Sequence, residues 1–380
     1  MESRMDIDLR LGKPLRFDEL YRKELLYRSV ISIYTKTLFV RRKARSVSWD
    51  GQNLYQFAFH GKNELQQLHL ELVHHTFRFS PAKALRIMKN GKERIVYVWP
   101  WRERVVDLML YQILNSHLDF RFSKNVFAFR WHGYGIDFCQ NRIRNYLARH
   151  SQMPLFLLKR DVSNCFPSIS HQVLAKIISA IVPADDYLHD LLWQHTAFSF
   201  FDFDGKLQTA ACGVPFGAPT ACLLANLSLL PFDDALEHFP DTFYSRYADD
   251  MLFLTPDLVI ARKAEGVFQE TFPRLDLVSK GSASINGVLS PANDGAEMPS
   301  DFILLPGVKH LGIYFKSGGK TSLALDKQRK LCRLFRQKFD RMSRVLNKKK
   351  TPEQRARCLC QRARSILERQ QTPVAIIDVC

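Results

Sequence analysis

Two apolar segments of this 380-residue chain carry carboxylates at the points where strands would end. Residues 154–161 run through Leu and Phe to Asp161, and residues 243–254 are apolar on both sides of Asp249-Asp250. Short apolar runs of this kind are typical of buried strands. Carboxylates that meet there repel each other and lose hydration, a cost that a divalent cation removes. The pattern therefore predicts a sheet that brings Asp161 to the Asp pair, a set able to hold two Mg²⁺ ions about 3.5–4 Å apart for phosphoryl transfer.

Two other Asp pairs in the sequence are interpreted differently. Asp185-Asp186 precedes a helix-like stretch, so we expect these acids to cap the N-terminus of a helix. Asp233-Asp234 begins a polar stretch, which predicts the flank of a helix. Only Asp249-Asp250 has strand character on both sides, and this makes it the candidate metal-binding pair.

Positive charge is concentrated in the last part of the sequence. The chain has 55 Lys and Arg against 38 Asp and Glu, a net charge of +17, and residues 327–369 hold 16 of the basic residues with three acids, a net of +13. Apolar residues recur there at spacings of three and four, which predicts a helix, and Thr351 is expected to cap a second one. Such a module favours phosphate contacts along nucleic acid. The alternative is a solvated outer helix face.

Local patterns also predict elements in the first 150 residues. Residues 17–34 are typical of a helix, residues 94–99 of a strand, and residues 101–114 of a second helix. The strand follows Asn90-Gly91, a strong signal for a hairpin turn.

The length of the apolar runs and the cysteine pattern predict the cellular setting of the chain. No run reaches the ~18–20 apolar residues of a membrane span, so we expect a soluble, cytoplasmic chain without a membrane partner. The eight Cys form no CxxC pair, which argues against a zinc ribbon. They are interpreted as small buried side chains in a reducing cytosol.

Seven sequence blocks follow one another between about Lys83 and Phe315. They are Arg94 with Trp99-Pro100-Trp101-Arg102-Glu103-Arg104, the segment from Phe122 to Gly135, Asp161 with Phe166, the segment from Gly213 to Asn226, Tyr247-Ala248-Asp249-Asp250, Lys280, and His310-Leu311-Gly312-Ile313. In this order they resemble the two fingers blocks and motifs A to E of bacterial reverse transcriptases. The similar lineages are those of retrons, group II introns and defence-associated (Abi-like or unknown-group) enzymes.

The resemblance implies a metal-dependent polymerase site. Asp161, Asp249 and the Val162 carbonyl would bind two Mg²⁺ ions, with Mn²⁺ as the alternative ion. Asp250, a member of the same metal-binding and catalytic set, would mainly position the turn and add to the local field. Lys280 would protonate the leaving pyrophosphate.

The resemblance also assigns a nucleotide-binding side. Lys92 and Arg94 would reach the phosphates, Phe166 would exclude a 2′-hydroxyl by shape, and Pro215-Phe216-Gly217 would line the nascent base pair. The alternative for each basic residue, Lys280 included, is a plain surface charge, and for Phe166 a core side chain. The nucleic-acid contacts predicted from the resemblance and from the basic segment are Arg130, Tyr247, His310, Leu311, Gly312, Arg333, Arg336, Lys348, Lys349 and Lys350.

Motif B departs from the family pattern at two points. The family usually has Pro-Gln-Gly where this chain has Pro215-Phe216-Gly217, and often Thr-Ser-Pro where this chain has Thr220-Ala221-Cys222. Both departures remove polar groups near the nascent base pair. They suggest the hypothesis that nucleotide or template engagement is unusual, with low fidelity, a bias to few nucleotides, or no dependence on a free template.

The resemblance to reverse transcriptases implies an α+β right-hand polymerase fold with fingers, an RRM-like palm of antiparallel sheet and helices, and a small helical thumb. The expected boundaries are a helical extension over 1–80, fingers over 81–155, palm over 156–315 with a fingers insertion at about 171–209, and a basic thumb over 316–380.

The leading functional expectation is an RNA-directed DNA polymerase of anti-phage defence, acting on deoxynucleoside triphosphates, an RNA template or non-coding RNA, and a DNA product. Template-independent, protein-primed or protein-templated DNA synthesis is the first alternative, and a catalytically retired RNA-binding scaffold the second. A second reverse transcriptase, an accessory defence protein or a further copy of the chain are the other partners considered.

Overall fold

The computed structural model describes residues 13–36, 47–89, 91–130, 133–291 and 299–326, together with 328–329, 332–333, 351, 353–354, 357 and 361. Its helices are α1 Phe17–Leu20, α2 Lys23–Lys36, α3 Leu54–Phe59, α4 Gly61–Val73, α5 Trp101–Leu118, α6 Ile136–Arg149, α7 Cys165–Ser168, α8 His171–Ile181, α9 Tyr187–Thr196, α10 Pro219–Ser228, α11 Leu230–Leu236 and α12 Leu258–Arg274. Its strands are β1 Ala82–Lys89, β2 Lys92–Val98, β3 Leu155–Asp161, β4 Ser199–Phe201, β5 Leu207–Thr209, β6 Phe243–Tyr247, β7 Asp250–Thr255, β8 Ile285–Leu289, β9 Ile303–Leu305, β10 Val308–His310, β11 Ile313–Phe315 and β12 Thr321–Leu323. This mixture confirms the predicted α+β class.

The strands form three sheets with the orders β2-β1-β4-β5, β6-β7-β3-β8-β9 and β10-β11-β12. The chain divides into two compact units. The described residues within 1–135, 158–253 and 259–285 form the first unit, and those within 136–157, 254–258 and 286–380 form the second.

Helix α5 lies in the core of the first unit because it is apolar around most of its circumference. Val105, Val106, Met109 and Leu110 are fully buried, and α2 and α10 pack against the helix. The predicted helix over 101–114 is confirmed and continues to Leu118.

The hairpin predicted around Asn90-Gly91 is confirmed. Lys89 pairs with Lys92 across the turn, and Gly91 adopts a φ of +76°, a conformation that glycine reaches without strain. Strand β4 extends this sheet by pairing in parallel with β1, which joins the segment 199–209 to the hairpin.

The expectations from the sequence hold for Asp186 but fail for Asp233 and for the Cys212 thiol. Asp186 caps α9 as predicted, since its carboxylate accepts the N–H of Leu188 at 2.9 Å. Asp233 is not a helix flank: it lies within α11 and is fully buried, because the charge of Arg246 compensates it there. Cys212 is exposed, so the expectation of buried thiols fails at this position.

The second unit carries a mixed arrangement of strands. β8 pairs with β9 in parallel, whereas the sequence predicts an antiparallel palm sheet; β10, β11 and β12 are antiparallel. Helix α6 packs against the turn at 317–319, where Gly319 has a φ of +76° and a Cβ would come within 2.7 Å of the Arg144 carbonyl oxygen.

The basic C-terminal segment is described only in part. The Thr351 hydroxyl accepts the N–H of Gln354 at 3.3 Å, and the Gln354 side chain accepts the N–H of Thr351 at 3.2 Å. This reciprocal pair is a capping box and confirms Thr351 as a helix cap. Arg336, Lys348, Lys349 and Lys350 lie outside the described residues. Within the described ranges, no helix combines the length and apolar character needed to cross a membrane.

Candidate active site

The predicted meeting of Asp161 with the Asp pair occurs in the five-stranded sheet. Strands β7 and β3 are neighbours, so the end of β3 at Asp161 lies beside the turn that joins β6 to β7. The N–H of Val162 donates to the Asp249 carbonyl oxygen at 3.3 Å, which ties the two segments together. Ala248 adopts a φ of +56° in that turn, a left-handed conformation that bends the chain just before Asp249.

Electrostatic crowding is evident at Asp249. Burial raises the pKa of its carboxyl from 3.8 to about 6, the negative charge of Asp161 adds to the shift, and that of Asp250 adds further. The positive charge of Arg94 acts in the opposite direction. A half-buried carboxylate facing a second one is an environment that a divalent cation would stabilise.

Asp250 has a different surrounding from the other two acids. The Lys159 ammonium lies 3.1 Å from Asp250 Oδ1, and this lysine side chain is only 13% exposed. Among the described residues, no group of three or more His, Cys, Asp and Glu side chains converges tightly enough to hold a metal ion. The structure therefore brings together Asp161 and Asp249 as a pair and directs Asp250 to Lys159.

Lys280 lies beside Asp161. Its backbone N–H donates to the Asp161 carbonyl oxygen at 2.8 Å, and its ammonium lies 3.7 Å from Asp161 Oδ2. The N–H of Ser163 donates to the Val278 carbonyl oxygen at 2.8 Å, so the segment 278–280 runs along the end of β3.

Two of the predicted nucleotide-binding residues, Phe166 and Arg94, contact Phe216. Its ring packs edge-to-face against Phe166 with centroids 5.1 Å apart, and the Arg94 guanidinium lies 5.6 Å from the Phe216 ring centroid. The Tyr97 N–H donates to the Phe216 carbonyl oxygen at 3.1 Å, which binds this loop to β2. Gly217, with a φ of +116°, is exposed beside it.

The remaining predicted nucleotide-binding residues are Pro215 and Lys92. Pro215 is buried in the same loop. Lys92 is the first residue of β2 and pairs with Lys89.

Two predicted nucleic-acid contacts lie in the interior. The Arg130 side chain is 4% exposed, donates to both carboxylate oxygens of Asp119 at 3.0 and 2.9 Å, and lies over the Tyr134 ring. His310 is fully buried in β10. Because a phosphate contact requires an accessible group, these positions favour roles within the protein.

The other predicted nucleic-acid contacts in the described part of the chain are accessible to differing extents. Tyr247 is partly exposed at the end of β6, directly before the turn. Leu311 and Gly312 form the two-residue turn between β10 and β11, with φ values of 48° and 80°. Arg333 is exposed.

Sequence reasoning missed the buried support of the β6–β7 turn. Arg246 is fully buried, and its guanidinium donates to both Asp233 oxygens at 2.8 and 2.5 Å, to the Asn226 side chain at 2.9 Å and to the Ala248 carbonyl oxygen at 3.2 Å. The Tyr244 hydroxyl also donates to Asp233, at 2.8 Å. An arginine inside an otherwise apolar strand was the available signal, because a buried charge requires a partner. Lys159, two residues before Asp161, carried the same signal.

The chain is similar in sequence to known proteins over the segment that contains Asp161 and Asp249. The family described as "Reverse transcriptase (RNA-dependent DNA polymerase)" matches residues 83–276, about half of the chain. The "Putative COX1/OXI3 intron 2 protein" of Saccharomyces cerevisiae is 24% identical over 200 residues, which are 51% of this chain and 21% of that protein. The "Retron Ec83 reverse transcriptase" of Escherichia coli is 32% identical over 112 residues, 28% of this chain and 35% of that protein. The chain thus covers well under two thirds of the length of either relative.

Solved structures give weaker likenesses. Apo telomerase from Candida tropicalis, truncated from its C-terminal domain, aligns with a TM-score of 0.47 at 12% identity, over 65% of this chain and 55% of that one. Telomerase from Candida albicans in complex with a TWJ fragment of telomeric RNA aligns with a TM-score of 0.49 at 13% identity, over 72% of this chain and 50% of that one.

Proposed function

Because this chain belongs to the reverse transcriptase (RNA-dependent DNA polymerase) family, we propose that it is an RNA-directed DNA polymerase whose active centre is the pair Asp161 and Asp249. The observation that carries the proposal is the crowding of these two carboxylates beside Lys280, at the end of β3. Family members generally use divalent metals, and the raised pKa of Asp249 is what a carboxylate site built for a cation would show in the protein alone.

The cofactor proposed for this site is a pair of Mg²⁺ ions, with Mn²⁺ as the alternative. Asp161 and Asp249 would hold them with the Val162 carbonyl, while Asp250, paired with Lys159, would contribute mainly to the field. When bound, such ions activate a primer 3′-hydroxyl and neutralise the charge of the triphosphate.

The residues around the pair supply the other requirements of the reaction. The primer 3′-oxygen forms a bond to the α-phosphorus, the bond to the β-phosphate oxygen breaks, and the hydroxyl proton passes to solvent. Lys280, 3.7 Å from Asp161, donates a proton to the leaving pyrophosphate. Arg94, on β2, reaches the phosphates of the incoming nucleotide.

Primer extension on a defined RNA template tests the proposal. Asp249→Asn and Asp161→Asn should each lower the rate of deoxynucleotide addition by at least about a thousandfold, because each removes a negative ligand from the reacting centre. Asp204→Asn, at an exposed turn remote in sequence from the site, is the matched control and should retain activity. Undiminished extension by the Asp249 variant would overturn the proposal.

DNA synthesis without a free template is the second candidate function. It is favoured by Phe216, an apolar ring where the family usually has a glutamine that lies beside the templating base pair. Sequencing the product made with and without a supplied heteropolymeric RNA separates the two: faithful copies that appear only with the RNA support the leading proposal. RNA binding without any nucleotide addition would instead support the retired scaffold.

The right-hand division into fingers, palm and thumb, the stated boundaries and the role in anti-phage defence belong to the same proposal and rest on the family resemblance. The basic segment 327–369 would hold the primer–template duplex by its phosphates. Sequencing the nucleic acid that copurifies with the chain would identify the RNA, and phage challenge of cells with and without Asp249→Asn would test the defence role.

A further inference from the structure

Three phenylalanine rings pack in series. Phe166 follows Asp161 by five residues; its ring lies edge-on to Phe216 at 5.1 Å and 75°, and edge-on to Phe129 at 6.3 Å and 83°. Edge-to-face pairs of this kind are attractive and directional, so each ring restricts the orientation of the next. Phe129, Phe166 and Phe216 are called the ring cluster below.

The Phe216 end of the ring cluster is held by several independent contacts. The Arg94 guanidinium lies over its ring, and the Tyr97 N–H binds its carbonyl oxygen. The loop that carries Phe216 is also joined directly to Phe166, since the Val214 N–H donates to the Phe166 carbonyl oxygen at 2.9 Å. The two residues therefore keep their relative position through both backbone and side chain.

The Phe129 end is held in an unusual backbone conformation. Phe129 has a φ of +58°, which is strongly disfavoured for a bulky side chain, and its side chain is partly exposed. The Asn226 side chain donates to the Ala128 carbonyl oxygen at 2.8 Å, which anchors the backbone next to Phe129. Strain of this kind persists where the surroundings impose it and is concentrated at functional sites.

We propose that Phe129 and Phe216 are positioning residues that clamp the Phe166 ring and thereby set the selectivity of the site for deoxyribose over ribose. This inference rests on the proposed polymerase function. A ring restricted from both sides cannot rotate away from the sugar, so a 2′-hydroxyl meets a fixed apolar wall, where it loses hydrogen bonds to water without gaining others. A flexible glutamine at 216 would supply neither the ring edge nor a dry surface.

The test compares kcat/KM for a deoxynucleoside triphosphate with kcat/KM for the matching ribonucleotide. In Phe216→Leu the ratio of the deoxynucleotide kcat/KM to the ribonucleotide kcat/KM should fall about fivefold to tenfold, because the edge-to-face restraint on Phe166 is lost. Phe216→Tyr keeps the ring and should restore the wild-type ratio, and Phe129→Leu should lower it by about threefold. The ratio does not depend on the fraction of folded enzyme, so a merely structural loss leaves it unchanged.

Phe120→Leu is the matched control, because Phe120 is 66% exposed and the change should leave the ratio at the wild-type value. Phe216→Met serves as a second variant if the leucine protein does not fold. An unchanged ratio in the folded Phe216 variant, with a wild type that extends the primer, overturns the clamp. A wild type that adds no deoxynucleotide under any primer and template condition overturns the proposed function instead.

Discussion

Asp161 and Phe166 are five residues apart, yet their surroundings have opposite character. Beside Asp161, burial and then the nearby negative charges raise the pKa of Asp249 to about 6. Around Phe166, rings meet edge-to-face and the backbone carbonyl accepts the Val214 N–H. The rings of the cluster therefore attract one another, whereas the two carboxylates repel each other and are offset only in part by Lys280 and Arg94.

The turn that carries Asp249 repeats this contrast at shorter range. Asp233, fully buried, is compensated by Arg246 and Tyr244, whereas Asp249 faces Asp161. Arg246 also binds the Ala248 carbonyl oxygen, one residue before Asp249. The buried Asp233–Arg246 pair therefore supports the turn that carries Asp249, whose carboxyl has a negatively charged neighbour.

The largest effect should come from removing the compensating charge. Arg246→Met leaves Asp233 buried with the Tyr244 hydroxyl but without a counter-charge, and we expect the free energy of unfolding to fall by about 3–5 kcal/mol, measured by urea denaturation. Arg86→Met is the control: its partner Glu93 lies 3.7 Å away and both side chains are more than half exposed, so the loss should stay below about 1 kcal/mol. Equal losses in the two variants would show that burial of the Arg246 pair has no special role.

The pH dependence of stability tests the raised pKa of the Asp249 carboxyl. The Asp249 carboxyl has a folded pKa of about 6 against an ordinary value of 3.8, so the folded state binds the proton more tightly than the unfolded state does. In protein without metal, this group should lower the free energy of unfolding by roughly 3 kcal/mol in all as pH rises from about 3 to 7, with about 2 kcal/mol of that change between pH 4 and 6.

Mg²⁺ gives a second form of this test, because the proposed cation would bind the carboxylates in their ionised form. The rise in Tm on adding Mg²⁺ should therefore be larger at pH 7.5 than at pH 5, and Asp249→Asn should remove this difference. In the protein without metal, the same variant should also lose the fall in the free energy of unfolding that Asp249 causes as pH rises. A Mg²⁺ effect that is the same at both pH values would contradict a cation site at Asp249.

A smaller effect is expected where the loop of the ring cluster meets the backbone of α7. Gly213 has a φ of +81°, and a Cβ there would lie 2.7 Å from the Pro167 carbonyl oxygen and 2.8 Å from that of Phe166. Gly213→Ala should therefore lower the free energy of unfolding by about 1–3 kcal/mol. Gly205→Ala, also at positive φ but with open space around it, separates the strain from the close approach. Equal losses would place the whole effect in the backbone conformation.

The smallest predicted effect concerns Lys159. Removing its positive charge in Lys159→Met should tighten Mg²⁺ binding by about threefold to tenfold, since a cation that competes for Asp250 is lost. Calorimetric titration of Mg²⁺ measures this, with the exposed Lys176→Met as the control. Weaker binding would mean that Lys159 supports the site by orienting Asp250 more than it opposes the cation.

Much of the local structure could be predicted because it depends on neighbours in sequence. The apolar run before Asp161 and the turn at Asn90-Gly91 form a strand and a hairpin as expected, and Asp186 and Thr351 cap helices. The role of Asp233 could not be predicted in this way, because its partners are on β6 and not on its own helix.

The sequence by itself therefore determined the elements and the chemical types at the site: carboxylates at a strand end, a lysine after them, and a phenylalanine where relatives carry a glutamine. Tertiary structure alone decided the pairings of Asp250 with Lys159 and of Phe216 with Phe166. The physical reason is that helix and turn preferences act over a few residues. A pKa shift or a ring contact depends instead on distances set by strand order, which brings together residues about 50–90 positions apart.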